Sequence, residues 1–516
     1  MKLSTTFALA ALASEAVSQK VVSASFHKIQ LPLDLVQITR RDNTLTLAAL
    51  NNITGGGYYS EVEIGTPGQK ALLHVDTGSS DTWIVDKQAD LCTSPKLQRL
   101  YETGCTETFN STASSTYKVV GRNSFDITYL DGKNIRGDYI QDAVSIHGKT
   151  VTDQQLGLAF QTVKGTGLIG LGFSQTVAAK RKYPTILDNM VTQGVIGRKA
   201  FSIWLNDLSS SEGTLLFGGI DTEKYIGSLT TLPLVNDYHS GNMTSYSVAL
   251  TGVDIETPDG KTVEMAEDNF NASTVLDSGS TVCLLPEQMA KSIWVKYDVV
   301  DAGYGFIDCK WGGAEGQGHF FDFQFAGVKI RVPMEEMVLD NLGPIMDQLK
   351  GLTPFEKPCM FGIQNSATFD VNSTEFALLG DTFLRSAYVV YDEANRQVGI
   401  AQSNLNASRS NVVELRVGET ALPTATGVAS QASTPAPTPT PTRAGTGTGT
   451  GTGTETGTAA AGKATSIVSA GLATPSSSES PNAASHPGAV ASETDGFFVM
   501  TLMSVFAVVG AALMAG

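Results

Sequence analysis

Two short segments of the chain carry one pattern: His74-Val75-Asp76-Thr77-Gly78-Ser79 and Leu276-Asp277-Ser278-Gly279-Ser280-Thr281. In each, an Asp is followed by a hydroxyl residue, a Gly and a second hydroxyl residue. The two Asp stand 201 positions apart, too far for a local turn to pair them. Such a duplication suits two similar lobes that each deliver one carboxylate to a common junction. Two carboxylates in contact cannot both ionise readily, so they share a proton and supply an acid and a base in one place. The hydroxyls can bond and orient the carboxylates, and a Gly lets the backbone approach closely with an unusual φ. That is equipment for hydrolysing a peptide bond with water.

The elements that must position these residues read as strands. Aromatic and β-branched residues recur in short runs punctuated by Gly, and no long amphipathic helical pattern competes. At 516 residues there is room for two or three domains. A balance of 35 basic against 51 acidic residues, net −16, argues against a nucleic-acid partner.

Both ends carry processing signals. Met1-Lys2, the apolar run Thr5 to Ala13 and small residues up to Ser18 read as a signal peptide over 1–18. A pro-segment over 19–41 is expected to end at the dibasic Arg40-Arg41, with cleavage after Arg41; two solvated surface arginines are the alternative. From Phe497 to Gly516 the chain has no charge, which is long enough for a spanning helix but lacks a basic cytoplasmic flank. Small Asn482-Ala483-Ala484, a mostly polar spacer and this tail together read as a glycosylphosphatidylinositol signal. Attachment is expected at Asn482, with Ser485 or Gly488 as alternatives, and 483–516 would be removed.

Between the ends, a first lobe over 42–235 and a second over 236–410 are expected, then a Ser/Thr/Gly-rich stalk over 411–482. The stalk has too little apolar mass to offset its ordering entropy and reads as an O-glycosylated spacer. Sequons begin at Asn52, Asn110, Asn242, Asn271, Asn372 and Asn406. Five cysteines in an oxidising compartment imply two bridges and one free thiol. Pairing Cys92 with Cys105 and Cys309 with Cys359 keeps each bridge within a lobe and leaves Cys283, inside an apolar run, as a packing residue.

Over Tyr58 to Gln402 the order of features resembles the pepsin-like aspartic proteases. VDTGSSDTWIV from Val75 and VLDSGSTVCLLP from Val275 are similar to that family's two active-site signatures, and LLGDTFLRSAYVVYD from Leu378 to its late one. Each Asp is followed by an apolar-apolar-Gly element, Leu168-Ile169-Gly170 and Leu378-Leu379-Gly380. The resemblance implies an all-β, bilobal fold with a central cleft. It makes Asp76 and Asp277 the catalytic dyad, Ser79 and Ser280 the hydroxyls that bond it, and Thr77 and Ser278 a cross-brace between the loops. Gly78, Gly279 and Thr281 fall at substrate-contacting positions. Ile127-Thr128-Tyr129-Leu130-Asp131-Gly132 resembles the flap hairpin, with Tyr129, Asp131 and Gly132 facing substrate and Trp83 as hydrogen-bond partner of the tyrosine. Leu130 stands where Gly is commoner.

Secretion, dibasic processing, stalk and anchor narrow the resemblance to fungal yapsin-like surface proteases, which implies basic residues at the cut. The Cys92–Cys105 loop departs from that pattern, carrying Lys96 and Arg99 and no strongly acidic insertion. The expected activity is acid-pH endopeptidase cleavage of peptide and protein substrates. No cofactor or metal is required: the six histidines form no HExxH or Cys/His cluster, and no Gly-x-Ser-x-Gly elbow is present. A monomer is expected, held to the membrane by its anchor or joined to cell-wall glucan. The alternative is a catalytically silent binding or adhesion glycoprotein on the same fold.

Overall fold

The computed structural model describes residues 20–28, 39–41, 44–46, 57–101, 103–129, 132–210, 212–340, 342, 349, 351–431 and 473–475. The signal peptide, Asn52, Asp131, Asn482 and the apolar tail lie outside the described residues.

Each Asp stands at the end of a strand whose last apolar residues are buried: Leu73 and Val75 of Gln69–Asp76 in the first lobe, and Val275 and Leu276 of Ala272–Leu276, which runs up to Asp277, in the second. The neighbours repeat. Leu168–Gly170 lies parallel to the first strand, and Phe376–Leu379 parallel to the second. Trp83–Val85 and Cys283–Leu285 then pair antiparallel with those Gly-ended strands. On their far sides they pair in parallel with Lys149–Gln161 and Ile363–Asn365. Such strands, covered on both faces, are continuous apolar runs, as Leu-Ile and Leu-Leu before Gly170 and Gly380 require.

A shared sheet joins the lobes. Its order runs Tyr225–Pro233, Gln397–Ser403, Ala387–Asp392, Ala200–Trp204, Glu212–Phe217, Val22–Lys28, so two second-half strands lie between first-half strands in one layer. Phe201 stacks on Tyr391 at 4.7 Å, and Tyr246 meets Tyr391 edge-on at 4.9 Å, below the junction of the Asp loops. Arg198 and Asp392 form a buried ion pair across the joint. In the first lobe the long strands Lys118–Tyr129, Asn134–Ile146 and Lys149–Gln161 build the flap hairpin and its support.

The packed body continues past 410, where the stalk is expected to begin. Val412–Glu414 pairs with Gly219–Asp221, Leu415 is fully buried, and Tyr225 Oη donates to Ala425 O at 2.9 Å. Further on, the strand Ala473–Pro475 pairs antiparallel with the end of the flap strand, Ala473 opposite Tyr129. Among the described residues no helix is long and apolar enough to cross a membrane.

Candidate active site

The two Asp loops meet at the centre of the joint. Thr77 Oγ1 donates to Leu276 O at 2.8 Å, and Ser278 Oγ donates to Val75 O at 3.0 Å. The same hydroxyls accept from the facing backbones, Ser278 N to Thr77 Oγ1 at 3.0 Å and Thr77 N to Ser278 Oγ at 3.3 Å. Four hydrogen bonds in a reciprocal pattern hold the carboxylates face to face.

Each carboxylate is held by its own loop. Asp76 Oδ1 accepts from Gly78 N at 2.8 Å and Ser79 N at 3.1 Å, and Oδ2 from Ser79 Oγ at 2.5 Å. Asp277 Oδ1 accepts from Gly279 N at 2.7 Å, and Oδ2 from Ser280 Oγ at 2.6 Å. A Cβ on Gly78 would stand 2.5 Å from Asp277 Oδ1. Of the two expectations for this Gly, close approach holds and the unusual φ does not, since its backbone is not left-handed. The elements after the motifs follow the same logic. A Cβ on Gly170 would meet Ser80 C at 2.5 Å, and one on Gly380 would meet Ser280 O at 2.3 Å.

Both carboxyls are fully buried. Burial is the first cause that raises Asp76 well above the ordinary carboxylate range, and the facing Asp277 charge is the second; the loop hydrogen bonds pull the other way. Burial likewise raises Asp277, against its bonds from Ser280 and Gly279 and a hydrogen bond with Asp76. The two titrate as one unit that retains a proton above the pH at which an isolated Asp would lose it.

Tyr129 Oη accepts from Trp83 Nε1 at 2.7 Å, so the flap tyrosine and its expected partner are together. Gly132 turns the hairpin with φ +76°, and its N–H donates to Tyr129 O at 2.9 Å. Thr281 is buried beside the second loop, where its carbonyl accepts from Thr382 N at 3.1 Å. Both expected disulfides form, Cys92–Cys105 and Cys309–Cys359, and Cys283 is a buried free thiol whose pKa burial raises to about 11.

Sequence reasoning missed two side chains here. Asp81, five positions after Asp76, accepts from Tyr139 Oη at 2.8 Å, Tyr183 Oη at 2.6 Å and Ala178 N at 2.6 Å, tying the flap support to the first loop. Lys164 is buried with its ammonium 4.3 Å from the centroid of the Tyr129 ring. Asp81 lay within a motif already singled out, whereas Lys164 stands in a Thr-Val-Lys-Gly-Thr turn with no motif of its own.

The eukaryotic aspartyl protease family matches residues 57–403. The chain belongs to that family. The protease is 33% identical over 424 residues to the "Probable aspartic-type endopeptidase OPSB" of Arthroderma benhamiae, covering 79% of this chain and 81% of the relative. It is 35% identical over 380 residues to the opsB counterpart of Aspergillus fumigatus, covering 72% and 74%. With "Secreted aspartic protease 6" of Candida albicans it shares 33% identity over 367 residues, covering 69% and 78%. The protease is an aspartic-type endopeptidase of the pepsin-like group.

Proposed function

We propose that Asp76 and Asp277 are the dyad of this endopeptidase and cleave peptide bonds in acid. The observation that carries the reading is the reciprocal Thr77/Ser278 brace, which sets two buried, proton-sharing carboxyls at one point. With one proton between them, the ionised carboxyl takes a proton from a bound water, which attacks the scissile carbonyl. The protonated carboxyl gives its proton to the carbonyl oxygen, and the tetrahedral diol collapses as a proton passes to the leaving amine. Activity requires the singly protonated pair, so it falls as rising pH removes the shared proton. Tyr129, Gly132, Gly78, Gly279 and Thr281 line the substrate path in this reading.

The finer assignments rest on sequence signals and on exposure. Secretion, removal of residues 19–41 after Arg41, anchoring at Asn482 and membrane or glucan attachment rest on the terminal signals. Arg41 closes the strand Thr39–Arg41, and processing there would take Val22–Lys28 out of the joint sheet, baring the edges of Glu212–Phe217 and Tyr58–Ile64. N-glycosylation at Asn242, Asn271 and Asn372 is supported by their exposure; Asn406 is exposed but its amide donates to Asp207. A preference for basic residues rests on the net charge of −16 and on Asp131.

The test is cleavage of a diverse peptide library from pH 3 to 7 by the secreted protein, with and without pepstatin. We expect acid-dependent, pepstatin-blocked cleavage that falls by more than about 10³-fold in Asp76→Asn and in Asp277→Asn. Cleavage that survives either substitution in a folded protein would refute the dyad.

A further inference from the structure

The Cys92–Cys105 loop does more than close on itself. A Cβ on Gly165 would stand 1.9 Å from Gly104 O, so the turn after Gln161 packs directly on the loop's disulfide end. Thr106 N donates to Gly165 O at 3.2 Å, and the Thr106 and Thr166 hydroxyls bond at 2.8 Å. From the loop's other end, Asp90 Oδ1 accepts from Thr162 N at 3.0 Å. Within the turn, Thr162 Oγ1 donates to Lys164 O at 2.8 Å and accepts from Lys164 N at 2.9 Å. A long, flexible side chain thus leaves from a backbone held on several sides. That side chain is 3% exposed and ends on the face of the Tyr129 ring, whose hydroxyl is already held by Trp83.

We propose that Lys164 is a positioning residue of the flap: its ammonium, seated on the Tyr129 ring, holds that ring against Trp83. A cation over an aromatic face is attracted by the ring quadrupole, and more strongly where water is excluded. Among the described residues the titratable groups that bear on it are Tyr129 on the flap strand and His74 and Asp76 on the strand Gln69–Asp76, with Asp90 bonded to the base of the turn; Asp277 faces Asp76 from the second half, with Tyr391 beside it. The charge acts on two of these. It helps burial hold His74 neutral, with a pKa lowered to about 3, and it opposes burial at Asp76, favouring the carboxylate. Removing it disfavours ionisation of the dyad, which moves both limbs of the activity profile to higher pH.

The inference rests on the dyad reading, so the wild-type protein is first shown to cleave in a pepstatin-sensitive way. Lys164→Met keeps length and removes charge; Lys164→Arg keeps charge. We expect kcat/KM for Lys164→Met to fall about 2- to 30-fold at its optimum. Both limbs of its pH profile should rise by about half a unit, while Lys164→Arg retains the wild-type limbs. A folded Lys164→Met with wild-type limbs and kcat/KM overturns the proposal and leaves the dyad standing. Should Lys164→Met not fold, limbs displaced in Lys164→Arg overturn it, because that variant keeps the charge.

Discussion

Asp76 and Asp277 stand in frames with the same strand neighbours, but what surrounds the frames differs. In the first lobe the strand beside Trp83–Val85 is the long Lys149–Gln161, which runs back into the flap hairpin. In the second, the matching neighbour of Cys283–Leu285 is the three-residue Ile363–Asn365, which lies at the edge of its sheet. The indoles show the division of labour. Trp83 Nε1 donates to a side chain of the long hairpin, Tyr129, whereas Trp294 Nε1 donates to the carbonyl of Ile363 at 2.9 Å. Trp294 sits on the buried face of the helix Glu287–Lys296 with Met289, Ala290 and Ile293. The frame occurs in each half; the long hairpin belongs to the first.

If the frames are equivalent, Gly170→Ala and Gly380→Ala should each destabilise the fold by about 3 kcal/mol. In both, the new methyl meets backbone that cannot rotate away. Denaturant melts of the two variants measure this, and a tolerated Ala on one side alone would break the comparison.

The dyad itself gives the next effect. Both carboxyls are raised by burial, so the stability they allow at low pH is lost as pH rises through their shared titration. Asp76→Asn and Asp277→Asn should therefore each melt higher than wild type at pH 7, by on the order of 1 kcal/mol, and the gain should vanish near pH 3. His74 works in the opposite sense: its pKa is lowered to about 3, so its contribution is present above about 6.5 and fades as pH falls. Unchanged melting temperatures at pH 7 for both Asn variants would show that the pair ionises without strain.

The smallest effect separates hairpin from frame. Trp83→Phe should lower kcat/KM about tenfold and, since Trp83 is fully buried, also cost about 1 kcal/mol of stability. Trp294→Phe should leave kinetics alone and cost about 1 kcal/mol of stability, by depriving a buried carbonyl of its donor. Steady-state kinetics and melts on the same pair of variants measure both.

What the sequence made legible was whatever repeats or lies close in the chain. Asp76, Asp277, their hydroxyls, both apolar-apolar-Gly elements and both cysteine pairs could be read because the two halves repeat the same solution. The sequence pointed to close approach at Gly78, but the group that crowds it, Asp277, lies 199 positions away, and no local pattern records it. Lys164 was invisible for a similar cause, since its ring partner lies on another strand and a single lysine in a polar turn looks solvated. The packing beyond 410 was not legible because Val413, Leu415 and Leu422 are scattered among polar residues, and their partners around Ile220, Tyr225 and Tyr388 lie far off in the chain or on another strand.

The reciprocal brace has a consequence for how the molecule can be divided. Thr77 does to Leu276 what Ser278 does to Val75, which makes this contact self-complementary, as in a two-fold dimer of identical chains. Joining the partners in one polypeptide replaces a concentration-dependent encounter by an intramolecular one. Once assembly no longer depends on identity, each half is free to specialise, and only the handful of atoms at the axis must stay matched. Split between the halves, the chain should behave as two subunits whose activity returns with the product of their concentrations.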